Sequence, residues 1–399
     1  MIAVMTDDLI YLDSNATTPC DPRVVEAMLP FMTRDFANPT TRNHRPGRDA
    51  ATGLERARAT VDRLLGGSAA SEVVFTAGAT EANNLALMGA AEALDGRGRH
   101  IISQATEHAS VLEPLAALQR RGWEISLVGV DERGRVKLDE LESTLRDDTV
   151  VVSLMLANNE TGTIQPVRQA AGLAHARGAL LHCDAAQGIG KIPVHVGELD
   201  VDLLTLSAHK LYGPKGVGSL WIRRRRPPIR LTPVIHGGGQ ENGLRSGTPN
   251  VPGAVGMARA MELAAEAGES ERVRVAALRD RLEDAILGAV DGSSRNGDAA
   301  NRLPNTSNFS ITGVEINALL ASLPDLAVNT GSACASAHPE SSPVLLAMGV
   351  PDELAGSSLR LSLGRFTTEE EVDRAAARIT EEVIRLRDMP TRMGRGSHR

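Results

Sequence analysis

Asp202-Leu203-Leu204-Thr205-Leu206-Ser207-Ala208-His209-Lys210-Leu211-Tyr212-Gly213-Pro214-Lys215-Gly216-Val217-Gly218 is the stretch from which the rest of this chain can be read. Leu203 to Leu206 is a short apolar run that predicts a buried strand, and it breaks into small and polar residues at Ser207, His209 and Lys210. In parallel α/β sheets, ligands bind beyond the carboxyl ends of the strands, which is where Lys210 would stand. Its amine is a nucleophile only when unprotonated, and partial burial beside other cationic groups favours that form. A lone lysine in a glycine-rich turn is far more often a surface residue, and it is a second stretch that changes the reading.

A second stretch, Ala179-Leu180-Leu181-His182-Cys183-Asp184-Ala185-Ala186-Gln187, is another apolar run ending in a polar group, here the carboxylate of Asp184. Two strand ends of opposite charge, separated by one connection, suit pyridoxal phosphate (PLP). An aspartate pairs with the ring nitrogen of that cofactor and a lysine holds its aldehyde. Val73-Val74-Phe75-Thr76-Ala77-Gly78-Ala79-Thr80-Glu81 adds a strand, a glycine turn and a helix start. The unpaired N–H groups of a helix's first turn bind anions, so this is the best phosphate cradle in the chain, although a structural helix opening at Thr80 fits it equally. It matches neither of the common nucleotide-binding glycine motifs.

The chain is 399 residues long, more than one ordinary domain, which predicts a large core and a smaller second unit. Only 2% of residues are aromatic and the net charge is -7, so stacking on bases and direct nucleic-acid contact are not expected. The run Arg223 to Arg226 reads as a solvated turn. Three cysteines, Cys20, Cys183 and Cys334, make no disulfide framework, and no metal site is expected. The first residues lack a basic segment followed by an apolar one, and no apolar run reaches the roughly 20 residues of a membrane span. These points lead us to expect a cytoplasmic protein.

Strands predicted at 73–76, 100–103, 123–130, 150–156 and 203–206 alternate with helices and are continuously apolar, the pattern of a mainly parallel α/β sheet. Val217 to Ile222 reads as a further strand. His236 to Asn250 is too polar and glycine-rich for core and predicts a loop held by a ligand or another subunit. Helix 251–267 leads to a boundary near Gly268, after which mixed strands and helices predict a small α+β domain. Pro166 is expected at the first position of helix 166–176, and Thr367 or Thr368 with Glu370 or Glu371 makes a capping box.

Taken together, these stretches resemble the cysteine desulfurases of the class V aminotransferase group of PLP enzymes, and the resemblance covers nearly the whole chain. It is carried by Tyr-Leu-Asp-Ser-Asn-Ala-Thr-Thr-Pro from Tyr11, Thr-Ala-Gly-Ala-Thr-Glu-Ala-Asn-Asn from Thr76, Thr-Glu-His from Thr106 and Ala-Asn-Asn-Glu-Thr-Gly from Ala157. His-Cys-Asp-Ala-Ala-Gln from His182, Ser-Ala-His-Lys-Leu-Tyr-Gly-Pro-Lys-Gly from Ser207, Gly-Leu-Arg-Ser-Gly-Thr from Gly243, Gly-Ser-Ala-Cys-Ala-Ser from Gly331 and Ser-Leu-Gly-Arg-Phe-Thr from Ser362 complete it. Each motif alone is weak; their order and joint presence are specific.

The resemblance implies PLP fold type I. Residues 16–263 would form a large domain with a mostly parallel seven-stranded sheet between helices, and residues 1–15 and 264–399 a smaller α+β domain carrying the cysteine loop. It implies that Lys210 binds the PLP aldehyde, Asp184 pairs with the ring nitrogen, and His108 stacks on the ring and assists proton transfer. Gln187 would hydrogen-bond the phenolic oxygen, and Asn159 that oxygen or the substrate. Ala79, Thr80, Ser207 and His209 would hold the phosphate, with Thr248 arriving from the partner of a homodimer with shared sites. Arg360 would grip the carboxylate of L-cysteine with a bidentate fork.

Cys334 carries the sulfur reading. Its thiolate would attack the substrate sulfur, leaving a persulfide and alanine, and the small residues 331–336 suit a loop that swings from cofactor to a sulfur-acceptor protein. Family members supply iron–sulfur cluster assembly, tRNA thiolation or DNA sulfur modification, and the same residues serve all three. A PLP aminotransferase or selenocysteine lyase would share Lys210 and Asp184 without requiring Cys334, and an idle scaffold would bind no PLP. Asn242 departs from the family pattern, which often has arginine there, and Thr40-Thr41 stand where serines are frequent.

Overall fold

The computed structural model describes residues 9–330 and 341–389. Its strands are β1 (Ile10–Tyr11), β2 (Val73–Thr76), β3 (His100–Gln104), β4 (Glu124–Val128), β5 (Thr149–Met155), β6 (Leu180–Asp184), β7 (Leu203–Ser207), β8 (Gly218–Ile222), β9 (Ser293–Arg295), β10 (Thr306–Ile311), β11 (Leu326–Ala327) and β12 (Ser358–Ser362). Seven of them form one sheet in the order β2-β8-β7-β6-β5-β3-β4. Its neighbours pair in parallel from β4 across to β7, and β8 runs antiparallel to both β7 and β2. This is a PLP-fold-type-I architecture of the mostly parallel α/β kind.

Alternating residues of each strand serve opposite faces, as the pleat requires. Val152, Leu154, Leu181, Cys183, Leu204 and Leu206 join one core with Ala170 and Ala174 of helix Val167–Ala176 and Met257 of helix Val251–Ala289. Val151, Leu180 and Leu203 point the other way, against helices Ala79–Leu94 and Ala109–Gln119. Because both faces are covered, β5, β6 and β7 are buried throughout and carry no polar alternation.

A second core gathers Ile10, Leu12, Val275, Leu278, Leu282, Phe309, Ile311, Leu359, Leu361, Val372 and Ile379 around the antiparallel sheet β12-β10-β9. The helix Val251–Ala289 joins the two cores: Met257, Ala260 and Met261 pack into the first and Val275 onward into the second. Its one non-helical residue is Gly268 (φ 55°, ψ -137°), a kink that divides the span into two helices at the position expected from sequence. β1 pairs in parallel with β11, which anchors residues 10–12 in the second core and sends the following segment, Asp13 to Thr18, across to the first.

Several local expectations shift. Pro166 precedes helix Val167–Ala176 instead of opening it. Helix Ala79–Leu94 starts one residue before Thr80, after Gly78, and has no side-chain cap. The arginine run is partly engaged: Arg223 binds Asp200 at 2.8 Å and Arg225 approaches Asp202 at 3.5 Å. Thr368 and Glu371 do form the capping box. In the loop 236–250, Glu241 (φ 50°) and Asn242 (φ 57°) both lie in the left-handed region, which asparagine tolerates better than arginine does. Glu241 is fastened there by Arg58 (2.6 Å) and by the backbone N–H of Phe75 (2.9 Å). Among the described residues, no helix is long and apolar enough to cross a membrane.

Candidate active site

A cleft of about 690 Å³ opens at the carboxyl ends of the parallel strands. Ala79, Thr80, His108, Asn159, Asp184, Gln187, Ser207, His209 and Lys210 all line it, so nine expected site residues far apart in sequence converge on one cavity. The register explains the central pair. Asp184 ends β6 and faces Thr205 of the adjacent β7, and the chain leaves β7 at Ser207 through a short turn, Ala208–Lys210. Carboxylate and amine therefore stand on neighbouring strand ends.

Asp184 is 7% exposed and fixed from two sides: Oδ1 accepts from the N–H of Ala186 (2.9 Å) and Oδ2 from Asn83 Nδ2 (2.8 Å). Beneath it on the same strand face, the buried His182 bridges Ser153 Oγ (2.8 Å) and Thr205 Oγ1 (3.1 Å). Complete burial presses the His182 pKa down to about 4, against the pull of Asp184, so this ring is neutral at physiological pH. Glu107 lies beside the same carboxylate and accepts from the Met155 N–H at 2.5 Å. Burial first, then the charge of Asp184, raises Glu107 well above the usual carboxylate range.

Lys210 Nζ donates to the backbone carbonyls of Asn15 and Ala16, the latter at 2.9 Å. The N-terminal segment that crosses between the cores also grips the turn itself. Thr18 Oγ1 donates to the His209 carbonyl (2.9 Å) and accepts from the Tyr212 N–H (2.8 Å), and Thr17 Oγ1 meets His209 Nδ1 at 3.0 Å. Burial, then Lys210, Lys215 and Lys191, hold the His209 pKa down to about 4. Tyr212 (φ 66°) makes the left-handed exit, and the Arg365 guanidinium lies 4.4 Å over its ring.

At the other end of the cleft, the first N–H groups of helix Ala79–Leu94 face the cavity. Gly218 permits the approach: a Cβ there would sit 2.8 Å from Gly78 Cα and 2.5 Å from the Leu206 carbonyl. Ser207 Oγ is fully buried at this end with no protein partner. An orphaned hydroxyl beside open helix N–H groups marks a place for an anion. His108 caps helix Ala109–Gln119, with Nδ1 2.8 Å from Ser110 Oγ, and its ring is open to the cleft. The cleft walls desolvate it and lower its pKa, with Asp184 opposing and Lys210 assisting.

Arg360, on β12, is 3% exposed and reaches the cleft wall from the second core. Its Nη2 binds Asp13 Oδ1 at 2.5 Å and its Nη1 the Asn159 carbonyl at 3.2 Å. Thr248 does not line this cleft; it is exposed and shares a separate surface hollow with Phe31 and Phe36. Cys334 lies outside the described residues. The sequence reading missed Asn15, Thr17, Asn83, Ser110, Glu107 and Lys191. Asn15 and Thr17 had a usable signal, since the run from Tyr11 breaks abruptly into polar residues.

Residues 10–375 match the family model for class-V aminotransferases. A cysteine desulfurase IscS from Anaeromyxobacter sp. (strain Fw109-5) is 48% identical over 380 residues, covering 95% of this chain and 94% of that protein. The chain belongs to the cysteine desulfurase family. Among solved structures, the desulfurase fold here resembles a NifS-like protein with a TM-score of 0.88 at 40% identity, covering 95% of this chain and all of that one. It also resembles SspA in complex with cysteine, with a TM-score of 0.78 at 32% identity, over 90% of this chain and 99% of that one.

Proposed function

We propose that this chain is a PLP-dependent cysteine desulfurase. It takes sulfur from L-cysteine, releases L-alanine, and passes the sulfur as a persulfide to an acceptor protein for iron–sulfur cluster assembly or nucleic-acid sulfur modification. The observation that carries the reading is the pairing of a lysine amine with a buried, doubly hydrogen-bonded carboxylate at adjacent strand ends of one cleft.

The residues present suit the cofactor. The orphaned Ser207 hydroxyl and the open helix N-terminus at Ala79 and Thr80 fit its phosphate, with the neutral His209 as a donor. Asp184, anchored by Asn83 and Ala186, fits the ring nitrogen, and Lys210 the aldehyde. Bound there, PLP supplies an electron sink that lets the bonds at the substrate's α-carbon and its thiol break.

The chain's own groups do the rest. Lys210, whose amine holds the Asn15 and Ala16 carbonyls, would move the proton at the substrate's α-carbon. His108, whose ring opens to the cleft and whose pKa burial lowers, would hold the cofactor ring and take the proton from a thiol. Gln187 and Asn159 orient the phenolic oxygen and the substrate, and Arg360 attracts its carboxylate from the wall between the two cores. Asp13 already holds one arm of that guanidinium, so the substrate meets an arginine of fixed orientation. The Cys334 thiolate attacks the substrate sulfur, forming an S–S bond as the C–S bond breaks.

Exposed Thr248, in a surface hollow with the apolar Phe31 and Phe36, supports a homodimer in which this face meets a second copy and Thr248 completes the partner's phosphate site. The test is alanine formation from L-cysteine by wild type and Cys334→Ser. Loss of alanine formation and of protein-bound persulfide in the variant is the expected result; alanine made at the full rate overturns the persulfide route. Activity on selenocysteine but not on cysteine would reassign the substrate.

A further inference from the structure

Behind the amine of Lys210 stands a second one. Lys191 Nζ donates to Asn15 Oδ1 (2.9 Å) and Gln187 Oε1 (2.8 Å), and Gln187 Nε2 donates in turn to the Asn15 carbonyl (3.0 Å). That same carbonyl accepts from Lys210 Nζ. One asparagine thus holds two lysines, by its side chain and by its main chain. Asn15 cannot yield to either: its N–H donates to Ser362 Oγ (2.9 Å) and its Nδ2 to the Asn159 carbonyl (3.1 Å) and Thr306 Oγ1 (2.9 Å), while Asn305 Nδ2 also donates to its Oδ1 (3.1 Å).

Both partners of Lys191 are amide oxygens, so no carboxylate neutralises it. The nearby acids are committed elsewhere: Asp13 to Arg360, Glu271 to Arg365, and Asp184 to Asn83 and Ala186. The remaining charged neighbours are Arg360, Lys215, His209 and His108 around the cleft, and Arg272 and Arg365 across the small hollow that Lys191 and Lys210 both line. Burial, then Lys210 and Arg360, hold Lys191 well below the ordinary lysine range.

We propose that Lys191 is a positioning residue for Lys210: its hydrogen bonds lock the Asn15 and Gln187 amides, and with them the Asn15 carbonyl that accepts from Lys210, around the reactive nitrogen. The proposal rests on the reading of Lys210 as the reactive amine.

The test is a pH titration of the visible absorption band of the cofactor-loaded, full-length protein, paired with the rate at which an amine-acylating reagent labels Lys210 in the cofactor-free chain. Lys191→Met removes both donated hydrogen bonds and is expected to shift the absorption midpoint by about one pH unit and to slow labelling of Lys210 about tenfold at pH 8, the scale of one lost network partner. Lys191→Arg keeps the donors and restores the midpoint to within a few tenths of a unit. Lys191→Gln serves as the neutral variant if methionine prevents folding. A midpoint unmoved in the neutral variant, or moved as far by arginine as by methionine, overturns the proposal. Lys210→Ala separates the two readings: if it keeps the same pH-dependent band, Lys210 is not the reactive amine, whatever Lys191 does.

Discussion

His182 offers a prediction with a magnitude. It is fully buried under Asp184, hydrogen-bonded on both ring nitrogens, and its pKa lies at about 4 instead of the ordinary 6.5. Between those two values the unfolded chain binds a proton that the folded one refuses. The stability present above pH 6.5 is therefore lost as the pH falls toward 4, at ~1.4 kcal/mol per unit. Two and a half units amount to about 3 kcal/mol, a large share of the 5–15 kcal/mol that a folded protein typically has. His182→Asn keeps a hydrogen-bonding side chain and removes the titration, losing roughly 1–3 kcal/mol of packing and hydrogen bonding at all pH values. Urea unfolding of both proteins from pH 4.5 to 8 reads the result. The wild type is expected to lead above pH 7, with the gap closing by ~1.4 kcal/mol per unit below pH 6.5. A gap equally wide at pH 5 and pH 8 would show that this ring is protonated in the fold, and refute the reasoning.

Glu107 carries the opposite sign: its folded-state pKa is raised by burial and by Asp184, so its contribution falls as the pH rises above the unfolded carboxylate value. Glu107→Gln is expected to gain on the wild type between pH 5 and 7 by ~1.4 kcal/mol per unit while Glu107 stays neutral, and a flat difference in unfolding free energy contradicts this. Asn83→Ala takes one of two observed donors from the Asp184 carboxylate, and PLP affinity measured by absorbance titration should fall about tenfold or more. Unchanged affinity would mean that Asn83 does not prepare that carboxylate. In the second core, Arg302→Met leaves the buried Glu283 with only Arg295 and Ser307, at a cost of about 3 kcal/mol in unfolding free energy; a cost under about 1 kcal/mol contradicts the role of this buried pair.

What was legible in the sequence was the part written as contrast along the chain. Apolar strands that end abruptly in Asp184 or in Ser207 and Lys210 announce both the sheet and the edge where chemistry sits, because a strand buried on both faces has no other reason to end so. The gradual features were harder to place. The span Val251–Ala289 reads as two helices because of Gly268 and its polar neighbours, and the kink at Gly268 does divide it; what the sequence did not show is that the second helix follows the first with no intervening loop. β9, Ser293–Arg295, has no apolar residue to betray it and exists because β10 offers an edge. The layer behind the cleft, Asn15, Asn83, Glu107 and Lys191, was not legible, since each is a polar residue whose partners, apart from Gln187 four positions from Lys191, lie between 27 and 347 positions away. No local pattern distinguishes such a residue from a surface one. Arg360 was found only through the family resemblance, and the contact that orients it, Asp13, is 347 positions distant.

The central claim is that one amine, Lys210, makes the covalent contact with the cofactor while two other lysines stand close to it. Borohydride reduction of the PLP-loaded protein, followed by peptide mapping, tests it directly. The account predicts the reduced cofactor's added mass on Lys210 alone. The same mass on Lys191 or Lys215, or on no lysine at all, would contradict it.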